Sequence, residues 1–427
     1  MSPKCELSNI DIRLLLFKVE IRKPRKRMNQ KLLQKLKRIS PKDFFHIFLF
    51  IAAVPVSCFY KIFYPNLWIF CDCADEARDN AYWLFKYISH MDPNQEMVFA
   101  LNPMSTDYPK VLQYGKVVPF GSFRHWIYYL CAKNVISSQK AAGPNAAICY
   151  ILDRFRFTRG NHIFLQHGII KDDISYLHYK YTNIRLFACS TQRELEYVRK
   201  VYGYPPDYIQ LLGLCRFDQL IASKEVPGEL LIMPTWRKWL SHPTEGIAKH
   251  NLEQNFLLSD YYLKWMNLLN CPTFIHLIEH FNIHVIFYLH REAQKFSKFF
   301  SSSCPQIEIG TFPKHDVQTL LKNAQLLITD YSSVAMDFAF MGKPLFYYQF
   351  DYSEYRKRHL AEGYFDYTAD GFGPVCISEQ QLLGALSNFL NTDLTEDTVY
   401  KERRDLFFSL KDNQNCERTF RAIQRLG

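Results

Sequence analysis

The stretch 326–344, LLITDYSSVAMDFAFMGKP, decides the fold. Its apolar run Leu326-Leu327-Ile328 ends at Thr329-Asp330, and Ser332 and Ser333 follow as good helix N-caps. Val334, Phe338 and Met341 then share one helical face until Gly342 and Pro344 stop the pattern. Strand, polar turn and helix start is how an α/β sheet presents N–H groups and hydroxyls to a phosphate. Asp337 falls one turn inside that helix, placed to reach sugar hydroxyls beside the phosphates. The stretch reads as a nucleotide-diphosphate pocket built from Asp330, Ser332, Ser333 and Asp337. A serine cap without any ligand is the bland reading of the same letters.

On both sides, short apolar runs alternate with helical patterns, the signature of a layered α/β sheet. Strands are expected at 67–70, 97–101, 116–119, 134–137, 162–166, 186–189 and 208–212. A linker-like segment at 223–228 interrupts the rhythm, and a second series follows at 230–233, 285–289, 306–309, 326–329 and 345–347. Helices are expected at 75–89 and 192–201, then at 261–281, 315–323 and 332–341. The fold class is therefore α/β, with two doubly wound domains facing a cleft. The first spans 63–224 and the second 225–427, behind an amino-terminal segment of residues 1–62. A helix over 398–425 is expected to cross back to the first domain.

The 427 residues are 48% hydrophobic and 16% aromatic, which supports packed cores and excludes wholesale disorder. Twelve cysteines show no repeating framework, and Cys71 and Cys73 have no second pair at zinc-finger spacing. Reduced thiols, a cytosolic location and no structural zinc are the expectation. The net charge of +10 is uneven. Lys23, Arg25, Lys26, Arg27, Lys31, Lys35, Lys37 and Arg38 stand together with no acidic residue among them. The next stretch, 44–60 (FFHIFLFIAAVPVSCFY), carries no Asp, Glu, Lys or Arg. At ~1.5 Å per residue it is about 25 Å long, short of the roughly 30 Å hydrocarbon core. His46 and Pro55 count further against a spanning helix. An interfacial or re-entrant anchor at the cytoplasmic face of the membrane, on anionic lipid, suits the pair of segments. A core helix behind a nucleic-acid-binding tail is the alternative. Nothing else in the chain resembles a nucleic-acid module, so no nucleic-acid partner is expected.

Three further places carry candidate chemistry. His167-Gly168 closes the strand-like run 163–166, at the carboxyl end of the sheet where ligands bind in such folds. An imidazole there can take a proton from an attacking hydroxyl, with Asp172 or Asp173 to orient the ring. Arg237 and Thr235 follow the strand at 230–233 and suit phosphate, the first by a bidentate grip and the second by its hydroxyl. His290 follows the strand at 285–289, where it can meet charge building on a departing diphosphate. A core histidine and solvated loop residues are the bland readings. Arg78-Asp79-Asn80 opens an aromatic helix and is explained mostly by capping, with an acceptor-site role as the sharper option.

Taken jointly, Gln166-His167-Gly168, the run 233–237 (MPTWR), His290, and 328–334 (ITDYSSV) with Asp337-Phe338-Ala339 resemble the CDP-glycerol glycerophosphotransferase family. The runs 352–356 (YSEYR) and 363–366 (GYFD) continue the likeness, which covers most of 70–390. The resemblance implies a GT-B-like fold of two Rossmann-like halves, with the nucleotide held mostly by the second. It implies His167 as general base, and His290, Arg237, Ser332 and Ser333 on the donor's diphosphate. It calls for no cofactor and no metal-binding carboxylate pair. The implied donor is CDP-glycerol or another CDP-polyol. The implied acceptor is a cell-surface polymer or its lipid-linked primer, as in teichoic acid or capsule synthesis. One departure is visible: familiar members continue the first motif as H-G-T-P-x-K, where this chain has 167–172, HGIIKD. A GT-B glycosyltransferase using a nucleotide sugar and a non-catalytic membrane scaffold are the alternatives.

Overall fold

The computed structural model describes residues 40–140, 142–221, 224–241 and 251–426. The lysine- and arginine-rich run up to Arg38, and Ser223 of the linker-like segment, lie outside the described residues. Thirteen strands form two sheets among the described residues. In the first, β1 (Trp68–Cys71), β2 (Met97–Leu101), β3 (Lys116–Pro119), β4 (Asn134–Ser137), β5 (Asn161–Phe164), β6 (Ile184–Cys189) and β7 (Ile209–Leu211) lie in the order 3-2-1-4-5-6-7. In the second, β8 (Glu229–Ile232), β9 (His284–Tyr288), β10 (Ile307–Gly310), β11 (Leu326–Thr329), β12 (Leu345–Tyr348) and β13 (Val375–Cys376) run 10-9-8-11-12-13. Every pairing is parallel. Both sheets therefore reverse strand order once, between β1 and β4 and between β8 and β11. That is where open α/β sheets bind ligands, just outside the strands' carboxyl ends.

Near-continuous apolar strands suit a sheet covered on both faces. In β8, Leu230 and Ile232 pack into one core while Leu231 and the following Met233 pack into the other. Helices α1 (Pro41–Phe63), α2 (Asn80–Met91), α3 (Phe123–Cys131), α4 (Asp260–Leu269), α5 (Pro272–His280), α6 (Val317–Asn323), α7 (Val334–Phe340), α8 (Thr398–Phe407) and α9 (Asn415–Gln424) are those that bear on the site and its surroundings. The single helix expected over 261–281 is two, α4 and α5. Pro272 holds Cys271 extended (φ −69°, ψ 122°) and starts the second. The helix expected over 398–425 also divides. Phe408 leaves α8 extended and lays its ring against Phe340 and Phe372. Its second part, α9, does cross back. The backbone N–H groups of Asn415 and Cys416 donate to Asp218, and Phe420 stacks edge-on against Trp68 of β1.

The amino-terminal apolar segment is longer than its letters suggest. The helix runs for 23 residues, roughly 35 Å at helical rise, and continues through Pro55. By length and composition it can cross a membrane. One side of it packs along α3: Trp126 Nε1 donates to His46 Nδ1 at 3.2 Å, and Phe50 and Tyr60 meet Trp126 and Tyr128. The other side exposes Phe44, Phe48, Ile51, Phe59 and Ile62.

Candidate active site

The chain leaves β5 through Gln166, whose φ of 65° is unusual for a residue with a side chain. Strain of this kind, about 1–3 kcal/mol, persists only where surroundings hold it, and here they do. The Gln166 carbonyl accepts from Asn80 Nδ2 at 2.7 Å, and its side-chain amide donates to the Ala188 carbonyl. The turn aims His167 into the cleft with 62% of its side chain exposed. His167 Nδ1 meets Asp79 Oδ2 at 2.5 Å, which leaves Nε2 as the cleft-facing nitrogen. Asp79 is placed by its own helix: it accepts from the N–H of Asn80 at 2.8 Å at the start of α2. Behind it, buried Asp72 accepts from the N–H groups of Asp79 and Ala81, each at 3.0 Å. The Asp79 carboxylate raises the His167 pKa above its ordinary 6.5 against the opposing effect of desolvation inside the cleft.

The opposite wall is the turn after β11. Ser333 begins α7, but its hydroxyl makes no capping bond. It faces the first half so closely that a Cβ on Gly168 would lie 3.0 Å from Ser333 Oγ. The histidine turn and the serine turn therefore touch across the cleft. Ser332 is buried, and its Oγ accepts weakly from the Val334 N–H at 3.4 Å. His290 stands at the end of β9, one strand from the switch point, with its ring near that of Trp236, centroids 6.2 Å apart. Burial, helped by the nearby His167, His359 and Arg291, pushes its pKa down to about 3. Its Nδ1 accepts from the Glu292 N–H at 3.2 Å, so the neutral ring carries its proton on Nε2 and can donate. The Thr235 hydroxyl is enclosed without a hydrogen-bond partner, while its N–H donates to Asp330 Oδ1 at 2.7 Å and ties the loops after β8 and β11 together.

Four expectations need correction. Arg237 does not open onto the cleft: its side chain is 0% exposed and pairs with Asp330 at 2.9 Å and Asp351 at 2.7 Å. A guanidinium in that enclosure satisfies its charge within the protein and has no face left for phosphate. Asp330 is correspondingly spent on Arg237 and on the N–H groups of Thr235 and Tyr331. Asp337 is likewise taken, its carboxylate lying 2.8 Å from Arg216. Neither Asp172 nor Asp173 orients His167: the first pairs with Lys171 and Arg356, the second with His178.

Two residues at the centre have no motif to betray them. Asp79 looked like an ordinary cap, and a cap it is, but one whose second oxygen holds the histidine. Arg216 donates to Asp79, to the carbonyl of His167 and to Asp337, each at 2.8 Å. It thereby joins the base, its orienting carboxylate and the helix of the serine turn. No sequence signal marked Arg216, because its partners are 137 and 121 residues away in the chain.

The family model described as CDP-glycerol:poly(glycerophosphate) glycerophosphotransferase matches residues 55–425. The chain belongs to this family. It is 34% identical over 380 residues to the minor teichoic acid biosynthesis protein GgaB of Bacillus subtilis, covering 84% of this chain and 40% of GgaB. It is 31% identical over 112 residues to the teichoic acid glycerol-phosphate transferase of Staphylococcus aureus, covering 25% of this chain and 28% of that protein. The match thus spans less than half the length of either relative. A solved structure of the wall teichoic acid polymerase TagF superposes with a TM-score of 0.61 at 14% identity, over 91% of this chain and all of that one. Family membership accounts for the order of the motifs, and the TagF likeness for the GT-B-like pairing of two parallel sheets.

Proposed function

We propose that this chain moves glycerol phosphate, or a related polyol phosphate, from a CDP-activated donor to a teichoic-acid-type polymer or its lipid-linked primer. One observation carries the reading: a carboxylate-held, cleft-facing imidazole lies against a serine turn whose Ser333 hydroxyl is not used as a cap. His167 Nε2 takes the proton of an acceptor hydroxyl as its oxygen attacks the polyol-bearing phosphorus. The bond from that phosphorus to the bridging oxygen breaks, and CMP leaves. His290, as a neutral donor, and the hydroxyls of Thr235, Ser332 and Ser333 meet the charge on the diphosphate. The protein's share of such a reaction is mostly positioning and charge neutralisation.

The test is purified protein with labelled CDP-glycerol and CDP-ribitol, with and without membranes, following CMP. Release of a nucleoside diphosphate from a nucleotide sugar would favour the glycosyltransferase reading instead. Biological activity surviving His167→Ala would favour a scaffold.

The exposed face of α1 supports attachment at the inner surface of the membrane, where Phe44, Phe48, Ile51, Phe59 and Ile62 enter the interface. Because α1 also covers Trp126, replacing Phe48 and Ile51 by Glu tests this more cleanly than deleting the helix. The double variant is expected in the soluble fraction.

A further inference from the structure

A cavity of about 260 Å³ opens between the two halves. Its first-half wall is Tyr82 and Trp83 of α2, with Arg78 and Lys110; its second-half wall includes Asp316 and Gln318. Arg78 immediately precedes Asp79, the residue that holds His167, so the cavity backs onto the loop that positions the base.

The hydrogen bonds of the cavity show what it has to offer. The Asp107 carboxylate is occupied by Arg78 Nε and the Ala77 N–H, and Asp316 by Arg78 and Thr319. Gln318 accepts from Trp83 Nε1 at 3.2 Å and donates to the Arg78 carbonyl at 3.1 Å. The acceptors are thus taken, while donors remain. The Lys110 ammonium, with 35% of its side chain exposed, lies 3.3 Å from Asp107 and 4.5 Å from the centre of the Tyr82 ring. One such contact leaves spare N–H bonds on an ammonium that has three. A site with spare cationic donors beside the half-buried Trp83 ring suits a ligand with an anionic oxygen and a run of C–H groups. A phosphodiester-linked polyol has both.

We propose that this cavity is an acceptor subsite, holding one polyol-phosphate unit of the growing chain with its phosphate at Lys110 and its carbon chain along Trp83. The assignment rests on the transferase reading above. It would hold the acceptor against the loop that also places the base, because Arg78 in its wall is the chain neighbour of Asp79.

The experiment measures KM for a soluble glycerol-phosphate oligomer and, separately, for CDP-glycerol, in wild type, Lys110→Gln and Trp83→Leu. Acceptor KM is expected to rise about tenfold in each variant while donor KM moves less than twofold. Unchanged acceptor KM in both variants overturns the subsite. So does an equal rise in both constants, which would mark Trp83 and its Gln318 partner as a strut between the halves and nothing more. If wild type releases no CMP from any CDP-polyol, the transferase reading fails, and the cavity is judged by calorimetric titration with the oligomer alone. Binding that Lys110→Gln weakens then upholds the subsite, and binding it leaves unchanged removes it.

Discussion

Arg216 and Arg237 are both enclosed guanidinium groups gripped by two aspartates, and they do different things. Arg237 and its carboxylates, Asp330 and Asp351, all belong to the second half. The rings of Tyr261, Tyr331 and Tyr355 surround it at 4.9 to 5.2 Å. Arg216 comes from the first half, holds Asp79 there and Asp337 in the second, and keeps 8% of its side chain exposed. One arginine pins the loops of a single half. The other spans the cleft beside the proposed base. The same residue type with the same partners is architecture in one place and part of the site in the other, and only the location of the partners tells which.

The largest effect that separates them is on folding. Arg237→Ala leaves Asp330 and Asp351 buried without their cation, which costs about 3–5 kcal/mol. Urea unfolding reads this directly. A loss below about 1 kcal/mol, accompanied by weaker donor binding, would return Arg237 to the diphosphate and break the comparison. Next comes the base that Arg216 serves: His167→Ala should lower the rate of CMP release by roughly 10²-fold or more with the unfolding curve unmoved. A smaller loss would mean that another group takes the proton.

A third test sharpens the contrast. Lysine keeps the charge but lacks the planar fork that reaches two carboxylates and a carbonyl together. Arg216→Lys is therefore expected to slow turnover about tenfold through misplacement of His167 and the serine turn. Arg237→Lys should instead appear mainly in the unfolding midpoint. Equal profiles for the two variants would show that both arginines are structural.

The contrast also explains what could be read from the letters alone. Strands buried on both faces announce themselves as apolar runs, and β2, β3, β4 and β11 fall on the expected residues. The turns after β5, β9 and β11 carry His167, His290 and the serines because chemistry sits at carboxyl ends, a rule that needs no coordinates. The same rule points Arg237 at the cleft, yet a residue after a strand can turn inward as readily as outward, and nothing local marks the aspartate 114 residues on that receives it. Asp79 was legible as a cap but not as a partner of His167, 88 residues away. The proline at 272 marks the division of 261–281, but the long apolar pattern on both sides of it reads as one helix.

The smallest expected effect concerns the proton itself. A general base works as the neutral imidazole, so kcat/KM falls as pH drops through the pKa of His167 in the free enzyme. The Asp79 carboxylate is the main influence raising that pKa above 6.5, with Asp337 a smaller one, while desolvation inside the cleft and the charge of Arg216 push it down. In Asp79→Asn the main raising influence is gone, and only the smaller one from Asp337 is left against the two lowering ones. The acid limb of the pH profile, measured on whatever rate survives, should therefore move to lower pH than in wild type. A midpoint that stays or rises would show that the limb belongs to another group. His290 is a poor candidate for that group, because a pKa near 3 keeps it neutral across the range where His167 titrates.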